Sequence, residues 1–194
     1  MKGDGIMRGY IETIERMGAC RDAIEWLVDM DYPTLQDAWD NCLRADWMLW
    51  LISVTDLPKI SKINIAKCAL EIAELLEDIS PEARRCNETT RRYLAKEVPK
   101  KELEEAKTRA LSDLTTTLGA LSLEAAVWAA KTAAMVRGRK YPPIALAGYA
   151  MMAAEVMLHA SPARQKKAAD IVRKYLKRPK LGCEQLDTEE NKGK

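Results

Sequence analysis

An all-α fold, built as a single compact bundle of about eight to ten helices, is what this sequence predicts. Three observations predict it. Apolar residues recur at three- and four-residue spacing in almost every periodic segment, alternating Val/Ile/Thr/aromatic runs are missing, and Ser, Thr and Pro stand where helices would begin. At 194 residues the chain has the length of one domain and can bury a core without a disulfide or metal staple. Hydrophobic residues make up 47% and charged residues 31%, a balance that suits a globular protein and not a disordered one.

The elements follow in order. The first helix is expected over 6–17, where Tyr10, Ile11, Ile14 and Met17 share one stripe, and the second over 20–30, with Ala23, Ile24 and Leu27. Asp31-Tyr32-Pro33 breaks the chain, and Thr34 with Asp37 has the spacing of an N-terminal cap in which side chains serve orphan amides. Short helices over 35–43 and 46–54 come next, the latter ended by Thr55-Asp56-Leu57-Pro58. Ser61 precedes an amphipathic stretch over 63–79. Ser80-Pro81-Glu82 supplies a hydroxyl cap, a proline at the first helical position and an acid in the first turn of a helix that Val98-Pro99 stops. Helices are expected over 101–118, from Ser122-Leu123-Glu124 to Val136, from Tyr141-Pro142-Pro143 to Ala160, and from Ser161-Pro162 to near Arg178-Pro179. Those over 123–135 and 144–158 are apolar on most faces and crowded with Ala and Met, which places them at the centre of the bundle. Residues 1–180 therefore form one domain, and 181–194, polar and without periodicity, is expected to be a disordered tail.

The net charge of +2 hides a gradient. Residues 1–58 carry 5 basic and 11 acidic residues, whereas 121–180 carry 12 basic and 3 acidic. The acidic candidates for contact with a partner are Asp29, Asp31, Asp37, Asp40 and Asp46, around short helices and their turns, together with Arg44. Such a patch would mimic nucleic acid or cover a basic active site; helix capping is the structural alternative for the same residues. The basic candidates are Lys166, Arg173, Lys174, Lys177 and Lys180, which fall on one side of the last helix at 100° per residue. That face would meet phosphates or an acidic protein, or serve only as a solvated surface.

Chemistry is poorly supplied. One His excludes multi-His metal centres, and neither a phosphate-cradling glycine motif nor a nucleophilic triad signature occurs. His159 ends an apolar helix, where the dipole alone favours it. The five cysteines are odd in number and lack CxxC spacing, so reduced, buried thiols are expected. No catalytic residue, cofactor or metal ligand is assigned, and the protein is expected not to be an enzyme. The longest apolar run, 144–154, is too short to span a bilayer, and the N-terminal residues lack a signal peptide's apolar stretch. A cytoplasmic protein with no membrane partner is expected.

The densest segment is WDNCLRADWMLWL over 39–51, with three Trp in twelve residues. Asp46 would cap the helix bearing Trp47 and Trp50, and Arg44 would pair with Asp40 or stack on a Trp face. This string, preceded by ACRDAIEWL and TLQDAW, resembles the opening of the Imm-five-like immunity proteins of bacterial polymorphic toxin systems, which phages also carry. The stretch ALEIAELLEDISPEARRCNETTRRYLAKEVPKKELEEAKTRA is similar to that family's middle helices, and QKKAADIVRKYL to its closing helix. The resemblance implies an all-helical cytoplasmic protein of a bacterial cell, expressed from its genome or from a phage or mobile element, that binds and neutralises a toxin. It carries no binding residue over to this chain. Two alternatives stand beside it: a phage-encoded inhibitor of a defence system such as CRISPR, and a nucleic-acid- or nucleotide-binding protein using the basic last helix. Oligomeric state is not legible.

Overall fold

The computed structural model describes residues 9–55, 61–76, 80–113, 120–137 and 141–181. These residues form ten α-helices and no strand, the all-α class the apolar periodicity predicts. The chain divides into two compact units, Met1–Cys42 with Arg178–Lys194, and Leu43–Lys177. The sequence marks a boundary only at 180/181; Leu181, assigned to the tail, is buried, and 182–194 lie outside the described residues.

The first unit holds α1 (Gly9–Arg16), α2 (Arg21–Met30) and α3 (Leu35–Asn41). The α1 stripe Tyr10, Ile11 and Ile14 is buried, as are Ala23 and Leu27 of α2 and Leu35, Ala38 and Trp39 of α3. Gly18 closes α1 at φ 89°, with its own N–H on Glu15 and the Ala19 N–H on Ile14, a left-handed cap that a glycine enters without steric cost. At α3 the expected cap is present in both directions: Thr34 Oγ1 accepts from the Asp37 N–H at 3.1 Å, and Asp37 Oδ2 accepts from the Thr34 N–H at 3.1 Å. The Tyr10 hydroxyl donates to the Tyr32 carbonyl at 2.9 Å, and Arg178 Nε donates to Gln36 at 2.9 Å, tying the returning segment to α3.

The second unit holds α4 (Ala45–Val54), α5 (Lys62–Glu74), α6 (Pro81–Leu94), α7 (Lys100–Asp113), α8 (Ala120–Val136), α9 (Pro143–Glu155), a 3₁₀ turn (Val156–His159) and α10 (Pro162–Tyr175). Its centre is the Ala-rich pair: α8 packs on α5, α6, α7 and α9, and α9 also packs on α4 and α5. Ala126, Ala130 and Ala133 of α8 and Ala147, Ala150 and Ala153 of α9 are fully buried, small side chains that let backbones approach closely. Cys86 Sγ lies 3.7 Å from the Ala126 carbonyl, so α6 meets α8 almost at backbone level. Met157 is buried, while Met151 and Met152 are half-buried.

Several boundaries differ from expectation for local reasons. The helix expected to open at Ser122 is already formed at Ala120, and Ser122 is buried within it. The stop placed at Val98-Pro99 comes earlier: Lys96 takes φ 68°, its N–H bonds to Tyr93 and the Glu97 N–H bonds to Arg92, a Schellman closure built on a lysine. The helix expected to run to Ala160 is α-helical to Glu155 and tightens into the 3₁₀ turn. The last helix ends at Tyr175 rather than Arg178, with Leu176 extended; Pro179 has no N–H to give the Tyr175 carbonyl in a continued helix.

Candidate functional site

The acidic candidates separate by what their carboxylates already hold. Asp37 serves the α3 cap, with Oδ2 also accepting from the Thr34 hydroxyl at 2.6 Å. Asp40 is exposed and accepts from Gln36 Nε2 at 2.9 Å. Asp29 and Asp31 are both exposed at the C-terminal end of α2, and Asp31 closes that helix at φ 46° with its N–H on the Leu27 carbonyl. Aspartate is among the few residues that enter this left-handed region readily. Asp46 does not belong to an exposed patch: it is 7% exposed, at the second position of α4, where Arg44 is the N-cap residue.

Arg44 takes the second of its two predicted roles and adds a partner. Its Nε and Nη2 donate to the two Asp46 oxygens at 2.9 and 2.7 Å, a bidentate fork, and its guanidinium lies 4.2 Å over the Trp47 ring. Glu155, at the end of α9, joins this cluster. Burial, then the charges of Asp46 and Glu124, push its carboxyl above the usual range, with Arg44 opposing. The sequence shows Glu155 only as the residue that closes an apolar run.

Around Asp29 and Asp31 the structure adds what the charge count missed. Val28 is 50% exposed and Met30 49% exposed, beside those two carboxylates. Asp22, Glu25 and Asp29 recur at three- and four-residue spacing, and all are exposed, with Glu25 paired to Arg21 at 2.6 Å, so an acidic stripe runs along α2 between Val28 and Met30, which flank it on either side. Val28 lies far from the buried Ala23/Leu27 stripe on the helical wheel, and that displacement was the sequence signal available to find it.

The basic face of the last helix does not survive as a continuous array. Lys177 and Lys180 lie beyond the end of α10, so helical geometry does not align them with the rest. Arg173 Nη1 bonds Asp170 at 2.9 Å, and Lys174 Nζ reaches both Glu71 oxygens at 2.8 Å. Lys166 is exposed. Burial pushes Glu71 up, but hydrogen bonds from Lys174 and Tyr175, with the Lys174 charge, outweigh it and hold the carboxyl below its usual range. The Lys174 ammonium is raised by the same bond to Glu71.

Among the described residues no group of three or more His, Cys, Asp or Glu is arranged to hold a metal ion, and no helix is long and apolar enough to cross a membrane. Cys42, Cys68 and Cys86 are buried thiols and Cys20 is exposed; Cys183 lies outside the described residues. Burial pushes the Cys86 thiol up to about 11, against weaker opposing effects of Thr90 and Lys107, and it raises Cys68 further, with help from the Glu71 charge. His159 is exposed in the 3₁₀ turn. No family model, curated protein or solved structure matches this chain.

Proposed function

We propose that this protein is a non-enzymatic inhibitor that acts by binding a protein target, a toxin whose producer it protects, in the manner its resemblance to immunity proteins implies. The observation that carries the proposal is the exposed α2 end, where Val28 and Met30 stand half in solvent beside Asp29 and Asp31. Apolar anchors flanked by one sign of charge suit a protein interface: desolvation of the anchors supplies affinity, and the carboxylates select a basic partner and speed its approach. A toxin that acts on nucleic acid presents such a basic surface around its active site. The complementary charge would then cover the residues that the toxin uses to hold phosphate.

The test is a binding titration against the purified candidate toxin sought among the products of the genes that flank this one. The wild-type chain is expected to form a 1:1 complex and suppress the toxin's activity. Val28→Ser with Met30→Ser is expected to weaken the complex by at least about tenfold for the loss of two buried anchors, with unchanged helical circular dichroism. Unaltered affinity in that double variant would remove α2 from the interface. If that candidate does not bind, and a purified CRISPR effector complex binds instead, the same surface serves a defence-system target.

A further inference from the structure

A second surface feature, in the Leu43–Lys177 unit, is a cleft of about 380 Å³ between α5, α6 and α10. It is independent of the α2 end and of the inhibitory proposal. Its α5 wall presents Lys67, Leu70, Glu71 and Glu74, its α6 wall Arg91, Leu94 and Ala95, and α10 closes it with Tyr175. The volume lies at the lower end of the range that takes small organic ligands, about 300–1,000 Å³.

The charges in this cleft are not balanced. Glu71 is matched by Lys174 at 2.8 Å, and Glu74 by Arg91 through one Nη2 contact at 2.6 Å. Lys67 is exposed on the same wall and has no carboxylate partner among the described residues. Arg91 is engaged through Nη2 alone, so the remaining N–H groups of its guanidinium stay available. One unpaired cation, Lys67, and the spare N–H groups of the ion-paired Arg91 therefore stand on α5 and α6, beside the Glu71 and Glu74 carboxylates and with the carbon surface of Leu70, Leu94 and Ala95 in the same cleft.

Tyr175 adds a fixed aromatic ring. The Lys174 ammonium lies 4.9 Å from its ring centroid, so one face of the ring is held. We propose that this cleft binds a small organic anion: a phosphate or carboxylate borne on a flat aromatic body. Its anionic group would sit between Lys67 and Arg91, and its body against Tyr175 and the leucines. Arg91 supplies the planar donor geometry that suits either oxyanion, and Lys67 supplies a point charge.

The experiment is a two-dimensional amide NMR titration of the full chain with phenyl phosphate, and in parallel with inorganic phosphate and with phenol. Saturable shifts at Lys67, Leu70, Arg91 and Leu94 are expected with phenyl phosphate, with both partial ligands at least about tenfold weaker. Lys67→Glu and Arg91→Gln, each at an exposed position, are each expected to weaken phenyl phosphate by about tenfold without moving the thermal melt. Absence of saturable shifts overturns the proposal. So does binding of inorganic phosphate as tight as that of phenyl phosphate, which would reduce the site to surface charge. Equal affinity in both variants would place the ligand elsewhere.

Discussion

Asn87 sits on α6 with its side chain fully enclosed, 0% exposed, and neither its Oδ1 nor its Nδ2 has a hydrogen-bond partner among the described residues. Each orphaned amide group in a protein interior costs about 1–3 kcal/mol of desolvation. Leucine has the same branched outline of four side-chain heavy atoms, so Asn87→Leu removes both polar groups while nearly keeping the shape. It also gains a few tenths of a kcal/mol in helix propensity, and gives back up to about 1–3 kcal/mol where its larger methyls crowd the Ala-rich neighbours. The balance is a stabilisation of about 1–3 kcal/mol. Urea unfolding followed by circular dichroism reads this as a higher midpoint at unchanged slope. Asn87→Ala, which removes the amide without crowding, separates the two opposing effects. A loss of stability in both variants, beyond about 1 kcal/mol in each, would show that the amide is bonded in the folded protein and would refute the reasoning.

Three further outcomes follow from the charged and thiol groups. Burial, Asp46 and Glu124 raise the Glu155 carboxyl, so the folded state keeps that proton at pH values where the unfolded chain has released it. The associated stability is present at low pH and is lost as pH rises through the raised value, so Glu155→Gln should raise the urea midpoint at pH 8 and leave it nearly unchanged at pH 4. The Arg44–Asp46 fork is partly open, with side-chain exposures of 28% and 9%, so Asp46→Ala should cost about 1–2 kcal/mol, less than a fully buried pair, by the same unfolding assay. In native alkylation followed by peptide mass mapping, Cys20 should label readily, whereas Cys68 and Cys86, enclosed and held as thiols, should label only after denaturation.

What was legible in the sequence was mostly local. The Thr34/Asp37 box and the Ser80 hydroxyl accepting from the Ala83 N–H at 3.2 Å join residues three apart, and a linear reading sees them directly. The burial of α8 and α9 was legible because their apolar residues cover most faces. By contrast, Lys96 ends α6 in a left-handed conformation that no glycine announces. The pairing of Lys174 with Glu71 joins residues 103 apart, so the helical wheel assigned to solvent a lysine that a distant helix had already claimed. Asp46 read as one more surface aspartate because nothing in its neighbourhood shows that Arg44 folds back onto it. At the candidate interface the charge was legible, and so was Val28 by its displacement from the Ala23/Leu27 stripe; Met30 was not, since the helical wheel puts it on the side of that buried stripe.

The most direct test of the central claim is isothermal titration of the wild-type chain and of the Val28→Ser/Met30→Ser double variant into the purified candidate toxin sought among the products of the flanking genes. The account predicts a saturable 1:1 isotherm for the wild type and at least about a tenfold loss of affinity for the folded double variant. No heat of binding to that toxin from the wild type, or equal affinity from both chains, would contradict it.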